Sequence, residues 1–123
     1  MESASELRKL RKEALAWAKE ELLGQVLFEP GTGKEIVFTM KGIKELVNQP
    51  HAHYVEKLDA IRHILEMFPY SDYMGQSLDE DSGQYCFRYY RTQVGGEDSF
   101  FVVRENLHTG LVDMYSLVDK IKE

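Results

Sequence analysis

Apolar residues near the start of the chain recur with the three-four spacing of one helix face. Ser3 and Glu6 fit a capping box before this stripe, and Gly24 fits a C-terminal stop after it. The pattern predicts an amphipathic helix over residues 3–23. Its buried face would carry Leu7, Leu10, Ala14, Trp17, Ala18 and Leu22.

Two short segments of alternating hydrophobicity follow this helix, at residues 25–29 and 35–39. The turn residues Pro30-Gly31-Thr32-Gly33 separate them, which is typical of a β-hairpin. Thr39 is then suited to cap a short helix that ends near Asn48.

A second, longer helical pattern begins at Pro50, because proline is well suited to the first turn of a helix. Apolar residues continue at helical spacing to Phe68, and Pro69 ends the pattern. The sequence therefore predicts one helix over residues 50–68. Residues 70–83 are polar, acidic and contain glycine, so we predict an exposed loop there.

The last third of the chain is rich in aromatic and β-branched residues, which favour strands. Three such segments, at residues 84–93, 99–105 and 111–117, are separated by connectors with hairpin chemistry. The predicted fold class is therefore α+β, as a single domain over residues 1–123. It would contain an N-terminal helix, a β-hairpin, two helices and a three-stranded antiparallel meander.

Composition narrows the class of protein without identifying it. The chain has 123 residues, of which 43% are hydrophobic and 29% are charged, as expected of a folded domain. Cys86 is the only cysteine, so no disulfide and no cysteine-based zinc site can form within one chain, and a reducing, cytoplasmic setting is expected. The apolar runs are too short to span a membrane. The sequence indicates no cofactor and no metal.

The net charge of −6 argues against tight nonspecific binding to DNA. Part of this charge is local, because the segment 69–83 carries four acidic residues and no lysine or arginine. An acidic loop of this kind is compatible with a basic groove elsewhere.

Candidate chemistry is concentrated in residues 48–57, where His51, His53, Tyr54 and Lys57 occur close together. Imidazoles titrate near neutral pH and can transfer protons, and a neighbouring cation can stabilise an anionic transition state. The alternative is that histidines at a helix start are ordinary surface residues or local caps.

Cations on the predicted sheet could complete such a site. Arg88 and Arg104 lie on two of the strands, where a face left uncovered by helices could present them to a phosphate. RNA cleavage without metal needs only a base, an acid and such a cation. The alternative is that antiparallel strands place polar residues outward in any case.

Several short motifs resemble a known family. They are Glu13-Ala14-Leu15-Ala16-Trp17-Ala18, Leu22-Leu23-Gly24, Gly31-Thr32-Gly33-Lys34-Glu35-Ile36, Phe38-Thr39-Met40-Lys41-Gly42-Ile43-Lys44-Glu45 and Asn48-Gln49-Pro50-His51. Together they resemble a large polyvalent protein-associated domain and relatives of phage-borne barnase–EndoU–colicin–RelE-like nucleases. The resemblance implies a helix-then-sheet fold, an origin in phages or conjugative elements, and metal-independent ribonuclease or toxin-like activity. It carries over the Gly42-Ile43-Lys44 and Pro50-His51 positions, which adds Lys44 to the phosphate-binding candidates.

Two hypotheses about function follow. In the first, the chain is an RNA-directed domain of phage or mobile-element origin, with His51, His53, Tyr54 and Lys57 as catalytic residues of a metal-independent ribonuclease. Its phosphate-binding residues would be Arg88, Arg104 and Lys44. In the second, it is a noncatalytic module that binds a protein partner or forms a homodimer. The first hypothesis requires the histidines to meet the arginines of the sheet around one hollow.

Overall fold

The computed structural model describes residues 3–121, in which a helix and a two-stranded hairpin are followed by a group of helices and then by four strands. The helical segments are α1 (Ala4–Glu21), α2 (Met40–Asn48), α3 (Tyr54–Ile61) and α4 (Ile64–Met67), and a 3-10 turn (Phe68–Tyr70) follows α4. The strands are β1 (Val26–Phe28), β2 (Glu35–Val37), β3 (Asp72–Leu78), β4 (Tyr85–Val94), β5 (Glu97–Asn106) and β6 (Val112–Val118). The predicted α+β class is confirmed, as is the cap of α1, where the Ser3 hydroxyl accepts a hydrogen bond from the Glu6 N–H at 3.2 Å.

These strands form one mixed sheet with the order β1-β2-β6-β5-β4-β3. The predicted meander is present as β4, β5 and β6, but the prediction of a three-stranded sheet is wrong because the sheet continues beyond both of its edges. β3 pairs antiparallel with β4, and the β1-β2 hairpin joins β6 through a short parallel contact of Val37 with Asp113. The hairpin itself is confirmed, with Leu27 opposite Ile36.

The prediction of an exposed loop over residues 70–83 is wrong for the part that forms β3. This strand lies at the edge of the sheet, and most of its side chains are exposed. An edge strand of this kind gains its stability from backbone pairing and needs no apolar face, so its polar composition concealed it. Its register shifts between Tyr73 and Gly75, which marks a bulge.

The prediction of one helix over residues 50–68 is also wrong, since α3 begins only at Tyr54 and a break separates it from α4. The backbone N–H of Ala52 donates to Asp119, and that of His53 donates to the ring of His51, so this stretch makes contacts that a helix would not allow. At the other end, the N–H groups of Arg62 and His63 bond three residues back rather than four, which tightens and ends α3.

The core lies between the helices and one face of the sheet. It includes Tyr90, Phe101, Val103 and Met114 from the strands, packed with apolar residues of all the helices described. Gly42 lets α2 lie directly against β6, because a Cβ at this position would be 2.2 Å from the Met114 carbonyl oxygen. The alternate residues of β4, β5 and β6 point to the opposite face, away from this core.

Candidate functional site

His51 lies in the turn before α3, with 9% of its surface exposed. Its Nδ1 accepts a hydrogen bond from the His53 backbone N–H at 2.8 Å, and its Nε2 lies 2.8 Å from Ser99 Oγ in β5. Since Nδ1 is an acceptor, the proton of the neutral ring sits on Nε2 and is donated to Ser99. Burial lowers the pKa of His51. The ring therefore forms a neutral link between this turn and the sheet.

His53 is half-buried and packs against the turn between β4 and β5. Its Nε2 lies 3.4 Å from Glu97 Oε1, and its ring contacts Gly95 so closely that a Cβ there would be 2.7 Å from the His53 Cγ. Gly95 has a φ of +60°, so glycine is favoured there on both grounds. The ring centroids of His51 and His53 are 6.1 Å apart. His51 thus joins this turn to β5, and His53 packs it against the turn between β4 and β5.

Tyr54 and Lys57 point to the helical side of the molecule. The Tyr54 hydroxyl donates to the Val47 carbonyl oxygen at 2.6 Å and accepts from Arg11 Nε at 3.0 Å. Lys57 is fully buried, and its Nζ donates to the Gln49 carbonyl oxygen at 2.5 Å. Burial lowers the pKa of Lys57 to about 7, because the charged amine is kept away from water.

Arg88 lies on the core face of β4, where only 6% of it is exposed. Its Nε and NH2 donate to the two oxygens of Glu29 at 2.5 and 2.8 Å, and its NH1 lies 2.9 Å from Glu105 Oε1. Burial raises the pKa of Glu29, but hydrogen bonds from Arg88, Tyr90 and Thr32 outweigh it and hold that pKa below its usual value. The guanidinium is therefore neutralised within the fold.

Arg104 lies on the opposite face, because it pairs across the sheet with Phe87 whereas Arg88 pairs with Val103. Its Nε and NH2 donate to the two oxygens of Asp113 at 3.0 and 2.9 Å. The guanidinium carbon lies 4.8 and 4.4 Å from the ring centroids of Tyr85 and Tyr115. Lys44, the last predicted phosphate contact, is an exposed residue of α2.

The structure brings His51 close to His53, and Lys57 close to the ring of Tyr54, but it joins neither pair to the arginines of the sheet. Within residues 3–121, no hydrogen bond, ion pair or ring contact joins His51, His53, Tyr54 or Lys57 to either arginine. The concavity beside Arg88 is lined by residues of the β1–β2 turn, β3 and β4, and by none of the predicted catalytic residues. Its lining is Gly31, Thr32, Tyr73, Gln76, Arg88 and Tyr90.

A larger groove, of about 450 Å³, lies on the sheet face that the core does not use. We call it the aromatic groove. Phe87 and Tyr89 of β4, Val102 of β5, and Tyr115 and Ser116 of β6 form its floor. Its lining also includes the acidic turn of residues 79–81, together with Val118, Lys120 and Ile121.

One buried hydroxyl at the floor of the groove has no hydrogen-bond partner in the part of the chain that the structure describes. The Ser116 side chain lines the groove, only 4% of the residue is exposed, and its hydroxyl makes no hydrogen bond with any residue that the structure describes. By contrast, the neighbouring Tyr89 hydroxyl is bonded to Ser77 Oγ at 2.6 Å. A buried hydroxyl without a partner costs roughly 1–3 kcal/mol, so it marks a place where a bound group would be favourable.

The sequence predicts two features of this groove but not that they lie side by side. The alternation of β4 places Tyr85, Phe87 and Tyr89 on one face, and the acidic run is plain in the sequence. The groove exists because β3 brings that run to the edge of the aromatic face. A prediction of a loop over this segment leaves its position relative to the sheet undefined.

The family model of large polyvalent protein-associated domain 3 (LPD3) matches residues 5–112, from the start of α1 to the first residue of β6. The chain belongs to the LPD3 family. This confirms the resemblance to a polyvalent-protein domain, and it associates the chain with large polyvalent proteins in a phage or mobile-element context. The match does not support the resemblance to nucleases. No curated protein and no solved structure matches the chain.

The LPD3 match covers the β4 and β5 part of the aromatic groove and leaves most of β6, with Tyr115 and Ser116, outside it. Within residues 3–121 of this LPD3 domain, no three histidine, cysteine, aspartate or glutamate side chains are grouped so as to hold a metal ion. No helix in the same range is long and apolar enough to cross a membrane.

Proposed function

We propose that this LPD3 domain is a noncatalytic module that binds a protein partner, and that the partner occupies the aromatic groove. The observation that supports this proposal is the groove itself, a concavity floored by aromatic rings with a buried hydroxyl that has no hydrogen-bond partner among the residues the structure describes. Aromatic residues are enriched at protein interfaces because they bury a large area at little cost in side-chain entropy.

Several of the predicted catalytic and phosphate-binding side chains are buried or bonded to other residues of the fold, which supports a noncatalytic role. A general base must reach the proton that it removes, and a phosphate-binding cation must have donors to spare. His51 uses both ring nitrogens internally, Lys57 is fully buried, and the forks of Arg88 and Arg104 are occupied by carboxylates. Freeing any of these groups would break a contact of the fold.

A homodimer is a second candidate, and the edge strand β3 favours it. Tyr73, Met74 and Leu78 are 52%, 43% and 60% exposed on this strand, and one side of its backbone pairs with no other strand within residues 3–121. Such an edge can pair with the same edge of another copy. Sedimentation velocity over a range of concentrations tests this candidate, and a constant monomeric species at every concentration would exclude it.

Partner binding can be tested without knowing the partner, by panning a random-peptide display library on the pure domain. Val118→Arg places a charged side chain in the groove, and Leu107→Arg, in the exposed turn after β5, is the matched control. We expect selected peptides to bind the wild type and the control and to lose binding to Val118→Arg. Peptides that bind all three equally, or a failure to enrich any, would refute the proposal. Circular dichroism establishes that each variant is folded.

The ribonuclease alternative is tested directly by incubating the domain with structured and single-stranded RNA in chelator. His53→Ala and His51→Ala are compared with His108→Ala, which changes an exposed histidine in the β5–β6 turn. We expect no cleavage by any of the proteins. Cleavage by the wild type and by His108→Ala that disappears in His53→Ala would contradict the noncatalytic assignment.

A further inference from the structure

We propose that the aromatic groove recognises a basic peptide segment, with an arginine or lysine side chain of the partner lying over the rings and pointing toward the acidic turn. This inference rests on the proposed function and specifies the chemistry of the partner. The acidic turn and Phe87 lie within the matched residues 5–112, whereas Tyr115 and Ser116 lie beyond them.

Charge favours a cationic occupant. The lining includes the acidic residues Asp79, Glu80 and Asp81, whereas Lys120 is the only cation among the lining residues that the structure describes. Asp79 holds the turn together by accepting from Ser82 Oγ at 2.6 Å and from the Asp81 N–H at 3.1 Å. Glu80 and Asp81 are exposed at the rim. With a net charge of −6 for the chain, an anionic ligand would be repelled.

The floor suits a planar or compact cation. The Phe87 and Tyr115 rings lie 5.8 Å apart and are only half-buried, so part of their surface is open to a ligand. A cation over such a ring gains about 0.5–1 kcal/mol at an exposed site and more when water is displaced. This face already holds one cation in that way, since the Arg104 guanidinium packs against Tyr85 and Tyr115.

Ser116 gives the groove a polar contact at its floor. Its hydroxyl can accept a hydrogen bond, and a rotation about the Cα–Cβ bond redirects it without movement of the strand. Arginine and lysine carry only donors on their charged groups, and a peptide backbone N–H is a donor too. A basic segment therefore supplies what this hydroxyl lacks.

The experiment uses fluorescence anisotropy with a labelled glycine–serine peptide that carries two arginines. The matched probe has glutamine at both arginine positions. The protein variants are Glu80→Gln with Asp81→Asn at the rim, Phe87→Leu and Ser116→Ala at the floor, and Glu20→Gln with Glu21→Gln at the exposed end of α1. The α1 pair removes the same charge far from the groove.

We expect the arginine peptide to bind more tightly than the glutamine peptide, and its binding to weaken as salt is raised. Phe87→Leu should weaken it about two- to fivefold, as the loss of one cation–π contact implies. Ser116→Ala should weaken it about threefold, as the loss of one hydrogen bond implies. The rim pair should weaken it by more than the α1 pair does. Amide shifts in residues 79–81 and 115–118 should locate the probe.

Equal binding of the two peptides, or equal loss with the rim pair and the α1 pair, would overturn the inference. Because the rim residues are exposed, their substitution tests it even where a floor variant is poorly folded. If library peptides depend on the groove but contain no cations, this inference fails and the proposed function stands. If no peptide depends on the groove, the proposed function fails.

Discussion

Two serines of the sheet provide a matched test of the unpartnered hydroxyl. Ser116 and Ser99 are both buried, at 4% and 0% exposure, on neighbouring strands. Ser99 Oγ is hydrogen-bonded to His51 Nε2 at 2.8 Å, whereas Ser116 Oγ has no partner within residues 3–121. Changing each to alanine removes one buried hydroxyl, from the core face of the sheet at Ser99 and from the groove face at Ser116. The two substitutions should therefore change stability in opposite directions.

The magnitudes follow from the cost of buried polar groups. Ser116→Ala removes a hydroxyl whose burial costs roughly 1–3 kcal/mol, so we expect the free energy of unfolding to rise by about 1 kcal/mol. Ser99→Ala leaves the Nε2–H of His51 without an acceptor and should lower the free energy of unfolding by about 1–3 kcal/mol. The difference between the two variants is then about 2–4 kcal/mol, well above the error of the measurement.

Urea unfolding at neutral pH, followed by circular dichroism, measures both values, and an unchanged m-value shows that the same surface is exposed on unfolding. A stable Ser116→Ala variant that binds the arginine peptide weakly would mean that the hydroxyl is retained for binding at some cost in stability. If Ser116→Ala destabilises the fold as much as Ser99→Ala does, the hydroxyl has a structural partner, and its part in the groove argument fails.

Three further predictions concern buried ionisable groups. Burial lowers the pKa of Lys57 from 10.5 to about 7, so the wild type is destabilised at pH 7 and gains stability as pH rises between those two values. Lys57→Met should therefore raise the free energy of unfolding by a few kcal/mol at pH 7 and should lose this pH dependence in urea unfolding. An effect equal to that of Lys44→Met on the surface would contradict this. Glu29→Gln should lower the free energy of unfolding by about 3–5 kcal/mol, because it leaves Arg88 buried without its main counter-ion. A melting temperature within a degree of the wild type would refute this. Because burial lowers the pKa of His51, the midpoint of its NMR titration should lie below the ordinary histidine value of 6.5, and the neutral ring should carry its proton on Nε2. Stability should fall as pH drops from 6.5 through the folded pKa, because the unfolded chain binds more protons in that range. A midpoint above 6.5 would be incompatible with the Ser99 contact.

The local pattern of apolar and polar residues is sufficient to predict the elements whose defining residues are close together in the chain. The stripe of α1, the hairpin of β1 and β2, and the meander of β4, β5 and β6 are each specified by residues close together in the chain. The sequence predicts a loop in place of β3, because this edge strand has no alternating apolar face of the kind by which strands are identified. The start of α3 was misplaced because Asp119, far along the chain, binds the Ala52 N–H and holds residues 50–53 out of the helix.

The arginines show a different limit of sequence reasoning. Alternation along β4 and β5 places Arg88 and Arg104 on definite faces, but it does not say which acid meets each one. Glu29 comes from the β1–β2 turn and reaches Arg88 only because the sheet joins β2 to β6. A cation in a strand is therefore a binding candidate only after the buried acids of the rest of the chain have been placed.

Substitutions in the buried ion pairs and at the rim of the groove should affect different properties, namely stability and ligand affinity. Removing one partner of Arg88–Glu29 leaves an uncompensated charge in the interior, so those residues are constrained by the fold. Glu80 and Asp81 are exposed at the rim, where a change of charge alters the affinity for a ligand and hardly affects stability. If the groove binds basic segments, charge reversal at these two positions should convert the preference to acidic peptides while the unfolding curve stays within about 0.5 kcal/mol of the wild type. A reversed rim that still prefers the arginine peptide would show that the aromatic floor, and not the acidic turn, selects the ligand.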